Sequence, residues 1–255
     1  MDPRLEIMVE AARAGGAVAL EHYRRDVPVS LKADRSPVTV ADHAAEAAIL
    51  AVLRARCRDH GALGEELGES GPRDRRFIID PIDGTRNFVR GIPTWAVLIG
   101  LEEAGQVIAG VVYQPVTGVL HRAWRGQGAD RDGVPIRVSA VDALDRALVV
   151  HSSVNFLRRS AYWDGFLRLA DRTQVQRGLG DFSAYLWVAE GQGEIALSTT
   201  VNAWDVAALT VIVEEAGGRI TDLDGRSGIY GSTVFASNGL LHDAALAAMR
   251  TEECA

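Results

Sequence analysis

Asp80 and Asp83, in the run Asp80-Pro81-Ile82-Asp83-Gly84-Thr85, are the residues of this chain whose types and spacing best suit chemistry. Two carboxylates beside a hydroxyl can hold a hard, oxygen-preferring cation such as Mg2+. The preceding Arg76-Phe77-Ile78-Ile79 has the apolar, β-branched content of a buried strand. Pro81 cannot donate to a ladder, so the strand is expected to stop there, and Gly84 permits a tight turn. An acidic turn without chemistry would use the same residue types, since Asp, Pro and Gly favour turns for local reasons. The segment alone supports both readings equally.

The remaining acids have similar double readings. Asp42 falls in the first turn of a helix expected over about Ala41 to Arg58, where a carboxylate also suits the helix dipole. Asp205 follows Trp204 at the start of a helix expected over Trp204 to Ala216, with Gly217-Gly218 past its end. Glu65 and Glu66, after Gly64, fall in a polar connection where acids are usually just solvated.

The elements around these residues fall into two halves. In the first, a helix over 3 to 24 carries Leu5, Met8, Val9 and Ala12 on one side, and its Gly15-Gly16 pair implies close packing. A strand over Val27 to Leu31 and a mobile polar loop over Lys32 to Pro37 follow. Trp95 to Leu101, Val107 to Gln114 and Val119 to Trp124 are expected strands of an antiparallel meander, with a hairpin after Gly126. Beyond about residue 142 strands alternate with helices. Strands are expected at Ala147 to His151, Val175 to Arg177, Glu194 to Leu197, Gly218 to Thr221 and Val234 to Ser237. Helices are expected at Tyr162 to Arg172, Phe182 to Glu190 and Asp243 to Arg250. The chain is expected to form one catalytic unit over 1–255, an α+β half over about 1–142 and an α/β half over about 143–255.

Composition excludes several classes. The 255 residues suffice for a sizeable core, and 47% apolar with 24% charged residues is ordinary for a globular protein. A formal charge of −7 leaves no basic excess to neutralise a nucleic-acid backbone. No run approaches the ~18 apolar residues of a membrane span. Asp2, Arg4 and Glu6 do not form a signal peptide, and Cys57 and Cys254 lack metal-ligand spacing, so a reducing, cytoplasmic setting is expected. The six histidines form no zinc pattern, and no Gly-x-x-x-x-Gly-Lys phosphate loop is present.

Taken together, Gly64-Glu65-Glu66, Asp80-Pro81-Ile82-Asp83-Gly84-Thr85 and Trp204-Asp205 resemble, in type and order, the inositol monophosphatase-like family of metal-dependent phosphatases. The resemblance runs from the Asp42 helix to Gly217-Gly218. It implies a layered α/β fold (an α+β sandwich of alternating helix and sheet layers), a bound small phosphate ester and a homodimer. It also implies two or three Mg2+ ions held by Glu65, Asp80, Asp83, Asp205 and the Ile82 carbonyl, with Asp80 as the bridge. Thr85 would orient the attacking water with Asp42 as its acidic partner, and the Gly84 and Thr85 amides would cradle phosphate oxygens. The loop carrying Lys32 matches a family loop that helps to hold a further metal.

Two further stretches, Asn87-Phe88-Val89-Arg90-Gly91-Ile92-Pro93-Thr94-Trp95 and Gly180-Asp181-Phe182-Ser183-Ala184-Tyr185, resemble the histidinol-phosphatase branch of histidine biosynthesis. That branch implies Asp181 as a substrate-facing acid, whose alternative role is capping the following helix. Ser198 stands where relatives usually carry a substrate-contacting glutamate, seven residues before Asp205. That departure keeps inositol-1-phosphate or another small sugar or cyclitol phosphate open as the substrate. A catalytically silent binding protein is the remaining alternative, and the retained acids argue against it.

Overall fold

The computed structural model describes residues 2–25, 29–31 and 37–250. Lys32, Cys254 and the first part of the strand expected from Val27 lie outside the described residues. The chain divides into two compact units, 1–135 with 207–212, and 136–206 with 213–255.

In the first unit, α1 (Pro3–His22) and α2 (Val40–Arg56) pack on an eight-stranded sheet. Its strands are β3 (Gly61–Gly64), β4 (Gly68–Ser70), β5 (Arg75–Asp83), β6 (Ala96–Glu103), β7 (Gln106–Gln114), β8 (Val119–Trp124), β9 (Ala129–Arg131) and β10 (Val134–Pro135). Their order is β10-β9-β8-β7-β6-β5-β3-β4, antiparallel except that β3 and β5 run parallel. A separate ribbon pairs β1 (Val29–Leu31) with β2 (Pro37–Thr39), and a short helix, α3, spans Thr85–Val89.

Alternation along the central strands sets the two faces of this sheet. Phe77, Ile79, Val97, Ile99, Leu101, Ala109 and Val111 form one core with Leu5, Met8, Ala12, Ile49 and Leu53 of the two helices. Each large side chain buried this way contributes roughly 1.5–3 kcal/mol. The expectation of close packing at Gly15-Gly16 holds. A Cβ on Gly15 would lie 2.5 Å from Ile49 Cγ1, and one on Gly16 would lie 2.8 Å from Pro115 Cγ.

The opposite face carries Ile78, Asp80, Leu98, Gly100 and Gly110. Gly100 and Gly110 are directly paired on β6 and β7, which leaves a patch of bare backbone. Residues 207 and 208 of α7 (Ala203–Glu215) rest on it. A Cβ on Gly100 would lie 2.8 Å from that of Ala207, and one on Gly110 would overlap the Ala208 carbonyl oxygen.

The expectation that β5 stops at Pro81 is corrected: the strand continues to Asp83. Pairing with β6 runs through Asp80–Leu98 and resumes at Asp83–Ala96, with a register shift between them. Pro81 occupies the bulge, where its missing N–H deprives no ladder bond. The Glu65-Glu66 connection is likewise more ordered than expected, being the turn of a β3–β4 hairpin closed by Gly64 opposite Gly68. Strands this short carry too little periodicity to be read from sequence.

The second unit has a five-stranded mixed sheet in the order β12-β11-β13-β15-β14. These strands are β11 (Leu148–His151), β12 (Val175–Arg177), β13 (Ile195–Ser198), β14 (Arg219–Thr221) and β15 (Val234–Ser237). Val149, Ile195, Leu197 and Phe235 share a core with Phe166 and Leu169 of α5 (Trp163–Arg172) and with Leu246 and Met249 of α8 (His242–Met249). Preceding α5 is α4 (Val154–Arg159), and α6 (Phe182–Ala189) packs against β13 and β15. The expected strands and helices of this half recur within one or two residues; α4 is an addition to them.

Wholly buried in this unit, His242 has one settled tautomer. Thr221 donates its hydroxyl proton to the Asp222 carbonyl (2.8 Å), so it accepts from His242 Nε2 at 3.0 Å. Nε2 thus carries the proton of the neutral ring, and Nδ1 accepts from the Ser237 hydroxyl at 2.9 Å, whose oxygen also takes the Gly239 amide. Burial pushes the imidazole down from 6.5 to about 4, aided by the charge of Arg219.

Two measurements check this packing. Gly110→Ala should lower the unfolding free energy by roughly 1–3 kcal/mol in urea titration, because the methyl meets backbone rather than a flexible side chain. For His242 the unfolded chain binds the proton first as pH falls, so the native state loses stability between pH 6.5 and about 4. The stability gap between wild type and His242→Gln should therefore narrow over that window, and a constant gap would contradict the buried neutral imidazole.

Candidate active site

The carboxylates of Asp80 and Asp83 are delivered by the bulge at the end of β5. Both are buried, and each offers an oxygen within 4.8 Å of the other. Asp80 Oδ1 is held at 2.9 Å by the Ile82 amide, which the bulge turns back toward it. The Ile82 carbonyl accepts the Thr85 hydroxyl at 3.1 Å. Gly84 has a φ of 88°, a conformation few side chains tolerate, and it opens α3 as its N-cap. The first amides of that helix therefore point away from the helix body, where an anion could meet them.

Glu65 is brought beside the same strand through the backbone, its amide donating to the Ile79 carbonyl at 3.1 Å. Its carboxylate is not part of the close Asp80–Asp83 grouping.

On α2, Asp42 does more than meet the helix dipole. Thr39 is the N-cap and Asp42 the third helical residue of a capping box. Asp42 Oδ2 accepts from the Thr39 amide at 2.8 Å and from its hydroxyl at 2.7 Å. Oδ1 is buried without a hydrogen-bond partner among the described residues. Burial raises this carboxyl to about 6, against the Thr39 bonds, and the charges of Glu66 and Glu65 add to the rise. Thr85 and Asp42, expected to act together on a water, each bond within their own turn, Thr85 to the Ile82 carbonyl and Asp42 to Thr39.

The strongest signal missed in the sequence is Glu46, one turn after Asp42 and wholly buried. Its Oε2 accepts from the Glu66 amide at 2.8 Å and its Oε1 from the Leu67 amide at 3.0 Å. Burial raises its pKa against those two bonds. An acid four residues from Asp42 in an Ala-rich helix is the available clue, as Thr39-x-x-Asp42 is for the capping box.

Asp205 lies in the first turn of α7, two residues before the stretch seated on Gly100 and Gly110. Its Oδ2 accepts from the Asn202 amide at 2.6 Å, so it, too, reaches back over a helix start. In the second unit, Asp181 precedes α6 but makes no side-chain cap bond, and its φ of 60° is a strained value for a residue with a side chain. Its alternative role as a side-chain cap of that helix is thus not met. Ser198 is buried at the end of β13, opposite Val234.

Hard carboxylate and carbonyl oxygens, held in place before any ligand arrives, suit Mg2+ or a similar cation better than a soft metal. No helix among the described residues is long and apolar enough to cross a membrane.

A histidinol-phosphatase from Mycobacterium tuberculosis is 42% identical over 94% of this chain and 96% of its own length. Another, from Streptomyces coelicolor, is 41% identical over 91% of both chains. Among solved structures, the extragenic suppressor protein SuhB of Bartonella henselae matches with a TM-score of 0.92 and 31% identity. That match covers 98% of this chain and 100% of the other. The inositol monophosphatase family model matches residues 1–253, and the chain belongs to that family.

Proposed function

We propose that the chain is a Mg2+-dependent phosphomonoesterase of the cytoplasm that hydrolyses histidinol phosphate to histidinol. The Asp80–Asp83 pair on the β5 bulge carries the metal-dependent part of this reading, since two buried carboxylates so close repel unless a cation offsets them. By the family resemblance, Asp80, Asp83 and Asp205, with Glu65 and the Ile82 carbonyl, would hold two or three ions. Bound Mg2+ supplies a water of lowered pKa and offsets charge on the phosphoryl and leaving oxygens.

The remaining work falls to the chain. Asp80 is kept in place by the Ile82 amide, so a metal ligand is oriented in advance. The amides at the start of α3 and the Thr85 hydroxyl would position phosphoryl oxygens and the attacking water. Asp42 Oδ1 is the open acceptor for a proton released there, and Thr85 would exchange its Ile82 bond to relay it.

Support for the substrate comes from the two relatives named histidinol-phosphatase and from the strained Asp181. A carboxylate held before α6 could pair with the amine or imidazole of histidinol phosphate. With Ser198 in place of the customary glutamate, selection of a cationic or a polyhydroxylated ester would be weaker, which keeps the second reading, an inositol or other small cyclitol phosphate, open. A homodimer follows from the family resemblance.

Asp80→Asn should reduce kcat by orders of magnitude with the unfolding midpoint nearly unchanged, because an amide cannot offset a divalent charge. EDTA should abolish wild-type turnover, and full activity in EDTA would refute the metal-dependent reading. Asp181→Ala should lower kcat/KM on histidinol phosphate by roughly 1.5–3 kcal/mol of binding while leaving a neutral aryl phosphate nearly unaffected. Equal losses on both esters would return Asp181 to a purely structural role.

A further inference from the structure

Resting on the phosphatase reading, we infer that Glu46 is a positioning residue for the metal-ligating turn at Glu65. Glu65, Glu66 and Leu67 form the three-residue turn of the β3–β4 hairpin. Every amide of that turn has a fixed acceptor. Glu65 N–H goes to the Ile79 carbonyl of the neighbouring strand at 3.1 Å. The next two amides, of Glu66 and Leu67, go to the two oxygens of the Glu46 carboxylate, at 2.8 and 3.0 Å. A short hairpin turn normally leaves such amides to water. Here a carboxylate on another helix captures both, and the Glu65 backbone is clamped between that grip and strand β5.

Residue 64 shows how closely the carboxylate is set. A Cβ on Gly64 would overlap the Glu46 Oε1, so only glycine admits the clamp at this place. Glu46 is itself wholly buried and reached from the helix that carries Asp42. Each of its oxygens is engaged by one amide of the turn. The arrangement matches the general behaviour of groups just outside a metal site, which fix the ligand rather than touch the ion.

Binding of Mn2+ as a spin-active probe, followed by loss of the free-ion EPR signal, tests this apart from turnover. Glu46→Gln keeps the size of the side chain but presents an NH2 group to one of the two amides. Gly64→Ala displaces the same carboxylate from the other side. Each should weaken Mn2+ binding by about ten- to a hundredfold. The double variant should be little worse than either single one, since both break one clamp. Glu46→Asp, a methylene too short to reach both amides, should not restore binding. A variant that folds less stably yet binds Mn2+ as wild type does would overturn the inference, and so would additive losses in the double variant. Should Glu46→Gln fail to fold, Gly64→Ala alone decides by the same criterion. Failure of the wild type to bind Mn2+ would instead refute the phosphatase reading itself, and this inference with it.

Discussion

Buried carboxylates must be held without being neutralised, and the first unit is organised by that constraint. Removing an ionised acid from water is costly unless hydrogen bonds replace the lost hydration. Asp42 and Glu46, both buried, meet the cost with backbone amides: Thr39 for the first, Glu66 and Leu67 for the second. Asp80 uses the Ile82 amide in the same way. An amide satisfies one lone pair and brings no full positive charge. Asp42 Oδ1 is thereby left open to a proton or a cation, whereas both Glu46 oxygens are engaged by the hairpin turn. The raised pKa values of Asp42 and Glu46 record the part of the cost that the amides do not offset.

Backbone geometry supplies those amides at defined places. The bulge at Pro81 turns the Ile82 amide toward Asp80 and brings Asp83 onto the same strand end. The capping box at Thr39 starts α2 with Asp42 already bonded, and one helical turn later Glu46 reaches the β3–β4 hairpin. Bare backbone at Gly100 and Gly110 lets residues 207 and 208 of α7 rest directly on the sheet. A proline and several glycines, which would weaken a regular sheet, are used where regularity has to give way.

Metal chemistry and substrate choice are separable in this chain. On the proposed reading, the acids that would hold the metal fit the family resemblance, whereas at the positions that would meet the substrate Ser198 stands for an expected acid and Asp181 is an added one. Fold and family identity thus support a phosphatase more firmly than they support any one ester. A strained backbone at Asp181 is the structural feature that most favours a specific contact there.

By itself the sequence determined the chemistry's raw material and the elements that bear it. The Asp80-to-Thr85 run, the acid before each helix body and the apolar periodicities are local patterns, and local physics suffices to read them. It also placed the close helix packing at Gly15-Gly16, because two adjacent glycines weaken a helix and are tolerated where a neighbour must come close. Tertiary structure decided what depends on partners far along the chain. Pro81 stays within β5 because β6 tolerates a shift of register beside it. Glu46, unremarkable among alanines in the sequence, acquires its role only where two amides from residues 66 and 67 converge on it, a meeting that no periodicity along α2 encodes.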